Sequence, residues 1–138
     1  MSSTVAEHMT ATPVTIDARD SVRHAAELMR SRDIGDVVVT DNGQVVGLVT
    51  DRDLVVRVLA TGNSPDTAVR EACTTDLVTV RPDDDVSKVV KLMRDKAVRR
   101  APVMKDEELV GIVSIGDLAI DLDSRSALAD ISASQPNS

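Results

Sequence analysis

A chain of 138 residues, 42% hydrophobic and 28% charged, has the size and composition of one folded domain with a real core, yet it contains no Phe, Tyr or Trp. Its core must therefore be aliphatic, and any planar ligand must lie between Val, Ile, Leu and Ala instead of stacking on a ring. The formal net charge of −7 excludes indiscriminate nucleic-acid binding, which needs a basic face, but leaves room for an anionic small ligand at a local group of arginines.

The opening MSSTVAEHMT lacks the basic flank and apolar run of a signal peptide. No stretch approaches the roughly 18 apolar residues of a membrane span. With one cysteine, Cys73, no intramolecular disulfide can form. These features together read as a cytoplasmic protein. In chain order, a short helical turn is expected at Val5–His8, then a brief strand at Val14-Thr15-Ile16. Asp20-Ser21 supplies N-capping groups for a helix in which Val22, Ala25, Ala26 and Met29 share an apolar face. Strands at Val37–Thr40 and Val45–Val49 flank Asp41-Asn42-Gly43, a good hairpin signal, and a further helix opens near Asp51.

The same order then returns. Residues 5–54 align with 69–118 without a gap, and Val5, Glu7, Thr10, Val14, Thr15, Asp20 and Val22 find identical partners at Val69, Glu71, Thr74, Val78, Thr79, Asp84 and Val86. The second copy predicts a turn at Val69–Ala72 and a strand at Val78-Thr79-Val80. Its helix is capped by Asp84-Asp85, with Val86, Val89, Val90 and Met93 inward. Strands at Ala101–Met104 and Leu109–Val113 and a helix from near Ile115 complete it. Each copy is a β-α-β-β-α unit of about 50 residues, too small to bury its faces alone, so the two are expected to pack into one core. The division is repeat 1 at 5–60, a turn-rich linker at 61–68, repeat 2 at 69–121, and a frayed tail at 122–138.

Each copy ends in the same string, Gly47-Leu48-Val49-Thr50-Asp51-Arg52-Asp53 and Gly111-Ile112-Val113-Ser114-Ile115-Gly116-Asp117. Two readings stand side by side. A hydroxyl followed three residues later by a carboxylate is a capping box, worth about 0.5–2 kcal/mol. A helix start also offers free N–H groups to phosphate, and an aspartate there can accept from both hydroxyls of a ribose. A cap has no use for the glycine three residues earlier, whereas a closely approaching ligand would.

Taken together, the duplicated string, the Val14-Thr15 and Val78-Thr79 strands and the segment Arg99-Arg100-Ala101-Pro102-Val103 resemble a pair of CBS domains, the Bateman module, over residues 5–121. The resemblance implies an α/β (α+β) fold. Two tandem repeats would be packed sheet to sheet with pseudo-twofold symmetry, leaving two clefts for adenine nucleotides or related adenosyl compounds. It implies that Asp53 and Asp117 hold ribose, that Thr50 and Ser114 lie near phosphate, and that Thr15 and Thr79 line the base pockets.

Arg99, Arg100 and Pro102 match the segment that often presents a basic residue to phosphate. Their counterparts Gly35, Asp36 and Val38 do not, although Arg52, opposite Gly116, offers a substitute cation. Two unequal sites are therefore expected. The ligand class is AMP, ADP, ATP, S-adenosylmethionine or a dinucleotide. The protein is expected to be regulatory and not an enzyme, to form a homodimer, and to act through an effector protein. Nucleic acid and membrane are not expected partners. The alternative is a ligand-free module for structure or protein interaction, favoured by Asp36, Gly116 and Ala101. His8, His24 and Cys73 show no metal-ligand spacing, and no constellation of catalytic groups is present.

Overall fold

The computed structural model describes residues 3–123, so most of the expected tail lies outside the described residues. The strands are β1 (Thr10–Ala11), β2 (Thr15–Asp17), β3 (Asp36–Asp41), β4 (Gln44–Thr50), β5 (Arg100–Lys105) and β6 (Glu108–Ser114). The principal helices are α1 (Val22–Arg32), α2 (Asp51–Asp53, running into a π-helical stretch at Leu54–Leu59), α3 (Val86–Asp95), and α4, which covers residues 115–123. Short 3-10 turns occupy Val5–Glu7 and Val69–Glu71. Among the described residues, no helix is long and apolar enough to cross a membrane.

Local chemistry accounts for most boundaries. The Ser21 hydroxyl accepts from the His24 amide at 3.1 Å to start α1, and Asp85 accepts from Ser87 at 3.1 Å to start α3. Asp33 ends α1 in the left-handed conformation at φ 55°. Asn42 and Gly43 both take positive φ, 52° and 78°. That two-residue turn suits the twist of the β3–β4 hairpin. The expected helix after Asp51 forms, but its second half is π-helical, with Ala60 N–H donating to Val55 O at 2.8 Å. Val55, Val56 and Val58 are β-branched, weak α-formers. At its end the Thr61 hydroxyl, whose one proton the two carbonyls share, lies 2.8 Å from Arg57 O and 3.1 Å from Val58 O.

The compact units are not the sequence repeats. One unit is Thr12–Leu77; the other joins the N-terminal segment through Ala11 to the chain from Val78 onward. Each repeat thus sends its opening segment to the other repeat's sheet and helix. Val5 N–H donates to Asp84 O at 3.0 Å, Ala6 to Pro82 O at 2.9 Å, and Val86 to Ser3 O at 3.1 Å. In the other unit Val69 donates to Asp20 O at 2.7 Å, Arg70 to Ala18 O at 3.1 Å, and Val22 to Thr67 O at 2.8 Å.

Packing follows the same exchange. Among the described residues each unit has its own core cluster. Val69, Ala72 and Cys73 pack with Ile16, Val22, Ala25, Met29, Val37, Val39 and Val49. Val5 packs with Val80, Val86, Val89, Val90, Met93, Val103 and Leu118. A repeat is too small to close over its own apolar face, and the borrowed turn supplies the missing cover. Ala26, expected inside, is exposed; the apolar stripe of α1 is narrower than its sequence suggested.

The sheets have the orders β2-β3-β4 and β1-β6-β5. The strand expected at Val78-Thr79-Val80 is reduced to an isolated bridge between Val80 and Val103. The cause is Pro102. In the first repeat Val38 N–H donates to Val14 O at 3.0 Å, but at the matching place proline has no N–H to give. Val80 N–H still donates to Pro102 O, at 3.0 Å, and Val80 O accepts from Met104 N–H, at 2.8 Å, which leaves the single bridge.

Candidate functional site

Strand alternation fixes which predicted residues come together. Val37, Val39 and Val49 point into the core cluster, so Asp36, Val38 and Thr50 belong to the opposite face of that sheet. Thr15 stands opposite Val38, and Thr50 opposite Asp36. In the other unit Arg100 stands opposite Ser114 and Pro102 opposite Ile112. Ala101, Val103 and Val113 are the core-facing residues there. Thr15, Thr79, Arg52, Arg99 and Asp117 are exposed, while Thr50, Asp53, Arg100 and Ser114 are half-buried. Pro102 is buried within the sheet, where its carbonyl serves Val80.

The two hydroxyl–carboxylate motifs are both caps, but they are not equally closed. Thr50 Oγ1 accepts from Asp53 N–H at 3.1 Å, and Asp53 Oδ2 accepts from Thr50 N–H at 3.0 Å, a complete capping box. The other Asp53 oxygen lies 3.7 Å from Arg57 Nε. Ser114 Oγ accepts from Asp117 N–H at 3.2 Å. Among the described residues no reciprocal bond to the Asp117 carboxylate forms, so that carboxylate remains open to another donor. In both units the residue before the sheet edge ties the helix start down: Asp51 N–H donates to Gly35 O at 3.0 Å, and Ile115 N–H to Arg99 O at 2.8 Å.

The leading glycine of the motif has a reason that sequence reading missed. A Cβ on Gly47 would lie 2.6 Å from Cys73 Sγ and 3.1 Å from Thr74 O. One on Gly111 would lie 2.5 Å from Met9 Sδ and 3.0 Å from Thr10 O. The close approach is that of the exchanged segment. Leu48 and Thr74 trade two backbone bonds at 2.9 Å each, and β1 pairs with β6 through Thr10–Ile112 and Ala11–Gly111. These glycines serve chain crossing, not ligand entry. Gly116 is different: among the described residues nothing but Ser114 Oγ, at 4.0 Å, lies near the place of its missing side chain.

Charge separates the units further. Three matched positions switch character: Gly35 and Asp36, beside the helix start, become Arg99 and Arg100, and Asp17, opposite Thr40 farther along the sheet, becomes Arg81. The Asp17–Arg81 switch is the one that sequence reading missed; comparing the repeats column by column past the strand would have found it. Asp17 accepts from Arg19 Nε at 3.0 Å, Arg19 Nη2 at 3.2 Å and the Arg19 amide at 2.8 Å, which together draw its carboxyl down from 3.8 to about 2. It stays ionised in any neutral solution. Arg81 lies 3.5 Å from Asp83, an exposed pair that restrains it little. Arg52, the proposed substitute cation of the first copy, is exposed on α2, its amide bonded to Asp51 at 2.8 Å.

The remaining titratable candidates have local partners. His24 Nδ1 lies 2.7 Å from Asp20, which lowers the Asp20 carboxyl below its ordinary range. His8 Nε2 lies 3.3 Å from Asp121. Burial raises the Cys73 thiol, the reverse of what a nucleophilic cysteine needs.

Comparison with known proteins agrees with this architecture. The CBS domain family model matches twice, at residues 5–60 and 69–123. The CBS domain-containing protein YhcV of Bacillus subtilis is 35% identical over 134 residues, which covers 94% of this chain and 96% of that protein. The CBS-CP12 protein from bloom-forming cyanobacteria, described as hexameric, has a TM-score of 0.79 at 28% identity, covering 99% of this chain and 91% of that one. The CBS domain pair of MJ0100, solved with 5-methylthioadenosine and S-adenosyl-L-methionine, has a TM-score of 0.80, covering 91% of this chain and 99% of that one. At 24% identity its likeness is one of fold.

Proposed function

Because the chain belongs to the CBS domain family, we propose that it is a regulatory ligand-sensing module and not an enzyme, and that one repeat binds a phosphate-bearing adenosine nucleotide. The observation that carries this reading is the charge switch. Beside one helix start stand Arg99 and Arg100, with Ser114 and an open Asp117; beside the other stand Gly35 and Asp36, with Asp53 already engaged by Thr50 and Arg57. A polyphosphate is attracted to the first arrangement and repelled by the second.

The roles follow from chemistry. Asp117 accepts from the ribose hydroxyls, and Ser114 with the first amides of α4 faces the phosphate. Arg100 and Arg99 neutralise it, and bare Gly116 leaves room beside it. Thr79 and the neighbouring aliphatic side chains line the base, with Pro102 as part of the rigid strand beneath. At the first repeat, Thr15, Thr50, Arg52 and Asp53 form the matching but weaker site, read here as structural. The fold-level likeness to MJ0100 supports an adenosyl ligand only in general terms; the arginines favour AMP, ADP or ATP over S-adenosylmethionine. Output passes through self-association, for which the hexameric CBS-CP12 protein is a precedent, and through a separate effector protein in a cytoplasmic setting.

The test uses the missing aromatics. Without Trp, Tyr or Phe the protein is nearly dark at 260 nm, so adenine can be read directly in equilibrium dialysis. Wild type is expected to take up AMP or ATP more than S-adenosylmethionine. Asp117→Ala and Arg100→Ala should abolish uptake, and Asp53→Ala should retain it. Uptake lost only in Asp53→Ala would move the site to the first repeat, and no uptake at millimolar nucleotide would leave a structural module.

A further inference from the structure

The opening segments of the two repeats are held by the same bonds. Column for column, Val5, Ala6 and Val86 make in one unit the backbone bonds that Val69, Arg70 and Val22 make in the other, and Val5 and Val69 are both wholly buried. A segment packed on its own repeat would find those bonds and that valine site again, so neither chooses between home and exchange. Basic side chains differ between the segments at two columns: Arg70 matches Ala6, and His8 matches Ala72. Arg70 Nη2 lies 3.9 Å from Asp41, and its charge helps to draw the Asp17 carboxyl down. His8 Nε2 lies 3.3 Å from Asp121. In the home repeats all three acids are replaced by cations: Lys105 stands for Asp41, Arg81 for Asp17 and Arg57 for Asp121. Arg57 donates to Cys73 O at 3.3 Å, beside Ala72, the column that His8 would take.

We propose that these inverted columns are a charge code by which each opening segment selects the other repeat. Arg70 is accepted by Asp17 and Asp41 and refused by Arg81 and Lys105; His8 is accepted by Asp121 and refused by Arg57. An exposed ion pair contributes little to total stability. A choice between two packings that share their backbone bonds and valine anchors rests on the difference between them alone, and here attraction in one is replaced by repulsion in the other. The His8 half does not need a charge. An imidazole N–H, neutral or protonated, can turn to a carboxylate, whereas Arg57 offers donors only. Duplication left the buried valines identical, so discrimination falls to the columns that diverged.

The experiment is amide hydrogen exchange on the full chain at low salt, in which the amides of residues 5 and 6 report one segment and those of 69 and 70 the other. Ala6→Arg combined with Arg70→Ala moves the arginine between segments at unchanged composition and net charge, and Ala6 is exposed, so the longer side chain has room. Both segments are expected to exchange several-fold faster, an effect that shrinks in about 1 M salt, where screening acts beyond about 3 Å. Adding Asp41→Lys and Lys105→Asp, which trades the receiving residues as well, should recover most of the protection. His8→Glu should release the amides of residues 5 and 6 and leave those of 69 and 70 protected, while His8→Lys should keep all four. Unchanged exchange in the first variant overturns the code, as does a loss that the added pair fails to repair. Equal loss in His8→Glu and His8→Lys overturns its His8 half.

Discussion

Gly47 and Cys73 touch so closely that a single methyl group on the glycine would come within 2.6 Å of the sulfur. The contact marks where the opening segment of the second repeat crosses the last strand of the first, and its counterpart joins Gly111 to Met9. Gly47→Ala is therefore expected to destabilise the protein by about 1–3 kcal/mol, the usual cost of overfilling a packed site. Gly116→Ala, in open space on a helix, is expected to stabilise it by about 0.5 kcal/mol. Urea denaturation compares them directly. Equal effects would show that the crossing segment yields easily.

Asp53 and Asp117 occupy matching positions with different bonding, so the same substitution should have different consequences. Asp53→Ala removes a half-buried carboxylate that closes a capping box and is expected to cost about 1 kcal/mol. Asp117→Ala removes an exposed carboxylate and is expected to cost about 0.5 kcal/mol or less. Thermal melts of the two variants check this, and the binding loss predicted for Asp117→Ala should appear without a matching stability loss.

Asp17 is the clearest pH marker in the chain. Its carboxyl is held at about 2, below its ordinary 3.8, chiefly by the hydrogen bond from Arg19. A depressed folded value means that this pair stabilises the fold fully above 3.8 and loses its effect as pH falls toward 2. Carboxyl-carbon NMR should show the Asp17 midpoint near 2, returning toward 3.8 in Arg19→Ala. An unchanged midpoint in that variant would assign the shift to something other than arginine.

Pro102 cuts short the strand that its first-repeat counterpart Val38 completes. Pro102→Val should restore the missing donor toward Val78 and lengthen the bridge at Val80 into a strand. The restored bond and the greater freedom of the unfolded chain act in opposite directions, so net stability should change by less than about 1 kcal/mol. Hydrogen exchange is the informative measurement. The new amide at 102 should be protected to the degree of Val38; rapid exchange there would show that the strand is limited by something else.

Much of the fold was legible in the sequence because its signals are local. The hairpin at Asn42-Gly43, the capped starts of α1 and α3, and the buried stripe of Val86, Val89, Val90 and Met93 follow from turn chemistry, free amides and helical period. The duplication likewise announced two matching helix starts, each with a hydroxyl and a carboxylate. What sequence could not assign is which repeat each segment packs against. The exchange of residues 3–11 and 67–74 between repeats is set by backbone bonds between residues far apart in sequence, and only the fold reveals that Gly47 and Gly111 make way for the chain itself. Sequence also listed Thr50-x-x-Asp53 and Ser114-x-x-Asp117 as equals. Tertiary structure separated them, because Arg57 and the Thr50 amide converge on one carboxylate while the other is left open, and a bond's availability depends on what surrounds it in space.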